Sequence, residues 1–189
     1  MMQARHLSPK HILLSLLVIL ITTLSLCVTP AWASLNDDRY DGNVFVLYAG
    51  NGSLVPPRLS LQETRERELP AMLVFYADDS SDSKRFAPIV SEIQSYYEKV
   101  ISIIPVAIDS IPQQKSYSKD EVGYYYGGKI PQTVILDAKG KVIFNEVGQS
   151  DFNDIDNTFR KLFDLPLREG ENLKKPIQSF NEYNSGFAQ

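Results

Sequence analysis

The sequence predicts an α/β fold in which a central mixed sheet of about four to five strands is flanked by helices and closed by a C-terminal β-hairpin plus helix. Three observations carry this expectation. Residues 71–76 (AMLVFY) are continuously apolar, as suits a strand covered on both faces. Residues 84–100 place Phe86, Ile89, Val90, Ile93, Tyr97 and Val100 on one face of a helix that leads to a second apolar run at 101–108. Residues 133–136 and 142–147 are separated by only Asp137-Ala138-Lys139-Gly140-Lys141, a length that suits an antiparallel hairpin.

The remaining elements follow in order. Residues 43–49 (NVFVLYA) are rich in β-formers and end at Gly50-Asn51-Gly52, so they predict a first strand. Ser60 with Glu63 three positions later spells a capping box, and Pro70 stops the short helix it opens. Pro88 is expected to kink the long helix near its first turn. Pro105 removes one ladder donor, which points to an edge strand or a bulge. A weaker helix is expected over 118–126, closed by Gly127-Gly128, and a final amphipathic helix over 152–163.

The N-terminus reads as an address. Arg5 and Lys10 precede an uncharged 17-residue run at 12–28, followed by Pro30 and the small-residue pattern Ala31-Trp32-Ala33. That is a secretory signal peptide, or a signal anchor if uncleaved. Leu26 before Cys27 is too large for a lipid-attachment site. The expected organisation is a signal at 1–33, a linker at 34–42, one domain at 43–165 and a flexible polar tail at 166–189.

Cleavage after Ala33 removes Cys27, Trp32, His6 and His11, leaving 156 residues with no thiol, imidazole or indole. A disulfide, a Cys/His zinc site and a Ser-His-Asp triad are thereby excluded from the exported part. Loss of Arg5 and Lys10 leaves 17 basic against 23 acidic residues, a net charge of −6, with no basic run longer than Lys174-Lys175. Nucleic acid is not an expected partner.

Four local signals, in order, resemble the thioredoxin fold. In that family a buried strand runs into W-A-x-W-C-G-P-C-K and a helix kinked by a Pro five residues after the second Cys. Here the stretch is Tyr76-Ala77-Asp78-Asp79-Ser80-Ser81-Asp82-Ser83-Lys84, with Pro88 in the matching place. The family's Ile-Pro-Thr, with a cis proline facing the active loop, resembles Ile130-Pro131-Gln132-Thr133, and its strand-ending Val-Gly resembles Val147-Gly148. The resemblance spans roughly residues 43–165. Both cysteines fall on serines, Ser80 and Ser83, and the family's buried acid falls on Val74. Dithiol exchange depends on a thiolate stabilised at a helix N-terminus, and a serine hydroxyl holds its proton far more tightly. More narrowly, YAGNGSLVPPRLSLQE before LVFYADDSSDSKRFAP is similar to cyanobacterial thylakoid proteins described as photosystem I accumulation factors. This similarity implies residence at the thylakoid, in the lumen or on the lumenal face, with the periplasm as the alternative export compartment. It also implies photosystem I subunits or assembly intermediates as partners.

No catalytic residue and no cofactor are expected. The acidic loop at 78–83 places Asp78, Ser80 and Asp82 at the 1, 3 and 5 spacing of a calcium loop, but Ser83 stands where Gly is needed and Ile89 where a bidentate Glu is needed. An N-cap with acids complementing the helix dipole accounts for the same residues, so no metal site is assigned. Ser80 with Asp79 as base makes a poor nucleophile, because an ordinary carboxylate is too weak a base for a hydroxyl. The candidate peptide groove comprises Ser80, Ser81, Asp82, Ser83, Ile130, Pro131 and Gly148, because recognition by the backbone beside Pro131 needs no cysteine. Within Tyr124-Tyr125-Tyr126 at least one ring is expected to be exposed. Phe180, Tyr183 and Phe187 offer a possible stripe on a partner, against a plain loose tail. The expected function is therefore non-redox binding of a protein partner. A thiol-disulfide accessory, or a metal-dependent enzyme built on 78–82, is the alternative.

Overall fold

In the computed structural model, which describes residues 9–26, 34–168 and 181–182, strand β1 (Ala71–Tyr76) is buried along its whole length. It pairs in parallel with β2 (Ser102–Ala107) and antiparallel with β4 (Gln132–Leu136), which pairs antiparallel with β5 (Val142–Val147). The order β2-β1-β4-β5 is a four-stranded mixed sheet, as the apolar runs predicted. Proline 105 sits in β2 at the sheet edge, where a missing ladder donor is tolerated.

Period-2 alternation along β1 divides the core into two layers. Met72, Val74 and Tyr76 join Phe86, Val90 and Ile93 of helix α4 (Ser81–Tyr97) and Ile155 and Phe159 of α5 (Phe152–Leu162). Leu73 and Phe75 pack instead with Ile104, Val134, Leu136, Ile130 and Leu61 of α3 (Leu61–Glu66). The capping box at the start of α3 is complete: Glu63 N donates to Ser60 Oγ at 3.2 Å, and Ser60 N donates to a Glu63 carboxylate oxygen at 2.8 Å. In the hairpin between β4 and β5 the Asp137 carboxylate accepts from Lys139 N and Lys141 N, both at 2.9 Å. Gly140 there takes a φ of +76°, a region other residues rarely adopt.

Two predicted elements are corrected. Residues 43–49 form no strand: Val44–Tyr48 is a short helix, α2. The Asn43 side chain accepts from Phe45 N and Val46 N, and the Asp78 carboxylate accepts from Val44 N at 2.8 Å, so capping overrides β propensity. Val44 and Phe45 turn into the core while Val46 and Leu47 face out. Residues 118–126 form only a 3-10 turn at Val122–Tyr125. The Tyr117 ring lies against Gly123 so closely that a Cβ there would stand 2.5 Å from it, and this packing holds the segment as a tight turn.

The chain divides into two units, Met1–Ala33 and Ser34–Gln189. In the first, α1 (Pro9–Leu26) is apolar around its circumference, with exposed leucines on several sides. Among the described residues no helix is long and apolar enough to cross a membrane. The cleavage pattern at residues 30–33 and the Phe180, Tyr183 and Phe187 stripe lie outside the described residues.

Candidate functional site

The loop leaving β1 delivers Ser80 to the N-terminus of α4. The Ser80 hydroxyl accepts from Ser83 N at 3.2 Å, a standard N-cap, and the Ser83 hydroxyl accepts from Ala77 N at 3.3 Å. The two positions that carry sulfur in related folds are thus spent on backbone capping, and both side chains are buried. Asp82 is buried too, with Arg85 at 2.6 Å and the Gln149 amide donating at 2.9 Å. Asp78 accepts from Val44 N and from the Asn43 amide at 3.2 Å, and burial raises its pKa. Asp78 and Asp82 are therefore both committed to contacts within the chain. Among the described residues no group of three or more His, Cys, Asp or Glu is placed to hold a metal ion.

What covers this site was missed in the sequence. Residues 34–42, read as a linker, form a strap across the start of α4. The Lys84 side chain is fully buried, and its ammonium donates to the carbonyls of Ser34 (3.1 Å), Asp37 (3.1 Å) and Arg39 (2.6 Å) and to Asp41 Oδ2 (2.8 Å). Asp38 Oδ1 accepts from Ser81 N at 2.8 Å, adding an acid at the positive end of α4. Arg85 donates to the Leu35 carbonyl at 3.1 Å. The Tyr48 hydroxyl donates to Asp41 at 2.6 Å. Hydrogen bonds from Lys84 and then Tyr48 hold the Asp41 carboxyl at about 2. Burial opposes the charge on Lys84, but its bonds to Asp41 and Asp37 prevail and raise its pKa. The one sequence signal was a lysine on the buried face of an apolar helix with Asp37, Asp38 and Asp41 upstream.

The second half of the site converges from the hairpin. The Ile130–Pro131 peptide is cis, and Gly148 N donates to the Pro131 carbonyl at 2.8 Å. The Gln149 bond to Asp82 ties this end of β5 to α4, so Asp82, Pro131 and Gly148 are brought into one neighbourhood. Their side chains do not form an open groove, however. Of the seven candidate groove residues only Ser81 keeps partial exposure, and Ser80, Asp82, Ser83, Ile130, Pro131 and Gly148 are all buried. What the chain presents beside these residues is the backbone of β3 (Lys129–Ile130), the two residues before Pro131.

A residue the sequence reading passed over builds that edge. Gln132 is buried, and its side chain accepts from Gly127 N at 2.8 Å and donates to the Tyr125 carbonyl at 3.0 Å and to Asn145 Oδ1 at 2.9 Å. These bonds fix the turn at 125–127 that presents β3. Tyr124 is exposed, Tyr125 buried and Tyr126 half-buried against Phe75, which matches the expectation of at least one outward ring. A cleft of about 400 Å3, lined by residues including Arg58, Arg67, Glu98, Lys99 and Ile103, opens where β2 begins, at the other end of the sheet from this site.

Comparison with known proteins fits this architecture. The sequence pattern of the thioredoxin-like domain matches residues 57–163. Thylakoid membrane protein slr1796 of Synechocystis sp. is 57% identical over 155 residues, which make up 82% of this chain and 77% of that protein.

Proposed function

Because this chain belongs to the thioredoxin-like domain family, we propose that it is a non-redox member that binds a protein partner at the thylakoid and supports photosystem I assembly or accumulation. The observation that carries the first half is the state of Ser80 and Ser83. Neither side chain is a thiol, both are buried, and both hydroxyls accept backbone N–H groups, so these two positions supply no thiolate for electron exchange. Binding remains, because strand pairing uses backbone groups that no substitution at 80 or 83 removes.

The compartment is supported by the thylakoid membrane relative and by the leader-like residues 1–33, which together favour export to the lumenal side. The photosystem I assignment rests on the similarity of residues 48–63 and 73–88 to accumulation factors. The test is capture from solubilised thylakoids with the tagged chain, combined with the photosystem I to photosystem II ratio in a strain lacking the gene. Enrichment of photosystem I subunits and a lowered ratio are expected. Background capture with a normal ratio rejects the assignment, and unaided insulin reduction by the purified chain rejects the non-redox reading.

A further inference from the structure

Strand β3 is not part of the four-stranded sheet. Its partner is β6 (Asn181–Glu182), from the far end of the chain, and the two form a separate antiparallel pair with Lys129 opposite Glu182 and Ile130 opposite Asn181. Residues 181–182 therefore lie on the backbone edge beside Pro131, the place where the proposed function seats a partner strand. Gln132 presents that edge through the fixed turn at 125–127, so it is organised before any strand arrives. The chain before residues 181–182 is anchored to the domain at Arg168. Arg168 N donates to Asn157 Oδ1 and Arg168 Nε to Asp156 Oδ2, both at 2.9 Å, leaving twelve residues between this anchor and Asn181.

We infer that the chain's own C-terminal segment, through Asn181–Glu182, is the resident strand on the Lys129–Ile130 edge, and that a partner strand must displace it. The inference rests on the reading that this edge is where the partner docks. A strand joined by a short linker acts at an effective concentration on the order of millimolar, so a free peptide competes poorly until the tail is released. Strand pairing is carried chiefly by backbone groups, which makes it far more sensitive to proline than to side-chain truncation, the Lys129–Glu182 charge pair adding a smaller share.

The test uses the full chain with Asn181→Pro and Glu182→Pro together, and the pair Asn181→Ala with Glu182→Ala as a control that keeps both N–H groups. The probe is a synthetic peptide of residues 176–188, followed by amide NMR up to millimolar concentration. In the proline variant the one of the Lys129 and Ile130 amides that points at β6 is expected to exchange at least about tenfold faster, with β1 amides unchanged, and the peptide to bind at least about tenfold more tightly than to the wild type. The alanine variant should stay much closer to wild type than to the proline variant. Unchanged exchange at 129–130 overturns the seating of the tail. Equal peptide affinity in the wild type and the proline variant, or no shift at the 129–130 amides in the proline variant, overturns the competition. Photosystem I capture separates the two readings: expected exchange and peptide results with no capture by either chain reject the partner alone, while capture with equal peptide affinity rejects the resident strand alone.

Discussion

Lys84→Met keeps the aliphatic stem that runs through the interior and removes the ammonium that holds the strap. Five acceptors then lose the lysine: the carbonyls of Ser34, Asp37 and Arg39, Asp37 Oδ1 at 3.3 Å, and Asp41 Oδ2 at 2.8 Å, which keeps the Tyr48 hydroxyl. The lysine side chain is fully buried and that of Asp41 is 12% exposed, so this is closer to a buried ion pair than to a surface one. Deleting one partner of such a pair typically costs about 3–5 kcal/mol. The strap can recover part of this by swinging its acceptors into water, which places the global loss below that range, at about 2–3 kcal/mol. For a domain of this size each kcal/mol moves Tm by about 2–4 °C, so a fall of roughly 5–10 °C is expected. The strap itself should open: hydrogen exchange at residues 34–42 accelerates far more than exchange in β1. Asp41→Asn should give a smaller loss in the same place, and the double variant should cost less than the sum of the singles, since both act on one contact. A Lys84→Met protein that melts within about 2 °C of wild type, with strap exchange unchanged, refutes the assignment of Lys84 as the anchor.

Acid should release the same strap. The Asp41 carboxyl lies at about 2 in the folded chain against an ordinary 3.8, so its contribution is fully present above 3.8 and is lost as pH falls towards 2. Lys84 is raised above 10.5, so it adds no loss between neutrality and that pH. Exchange at 34–42, corrected for intrinsic rate, should be flat from pH 7 to about 4 and rise below it, and Lys84→Met should flatten the profile. Ser80→Ala removes the α4 N-cap and should lower stability by about 1 kcal/mol in urea unfolding without reducing partner capture. A loss of capture at unchanged stability contradicts the purely structural role of that hydroxyl. Asp156→Asn is expected to be severe, about 3–5 kcal/mol, because this fully buried carboxylate accepts from Tyr97 (2.6 Å), Arg160 (2.6 Å) and Arg168 (2.9 Å) at the contact between α4 and α5. Near wild-type urea stability shows that the two arginines are satisfied elsewhere.

The elements that were legible in the sequence are those whose cause is local. The apolar run of β1, the single face of α4, the Ser60–Glu63 box and the Asp137–Lys141 turn each announce themselves within a few residues. Residues 43–49 misled because their helix is set from outside, by Asp78 across 34 positions. The strap was illegible for the same reason. Its carbonyls have no periodicity and acquire a purpose only when Lys84 reaches them across more than 40 positions. Gln132 was passed over because its partners, Tyr125, Gly127 and Asn145, meet only in the folded hairpin. The candidate site shares this division. Ser80, Ser83 and Pro131 could be found by matching a pattern, but whether they face solvent depends on what lies over them, and the strap is part of that cover. A helix N-terminus that activates sulfur in related folds is here filled by a serine cap and the Asp38 carboxylate. With those donors occupied, what lies beside Pro131 is a strand edge, and in this chain that edge is paired with residues 181–182.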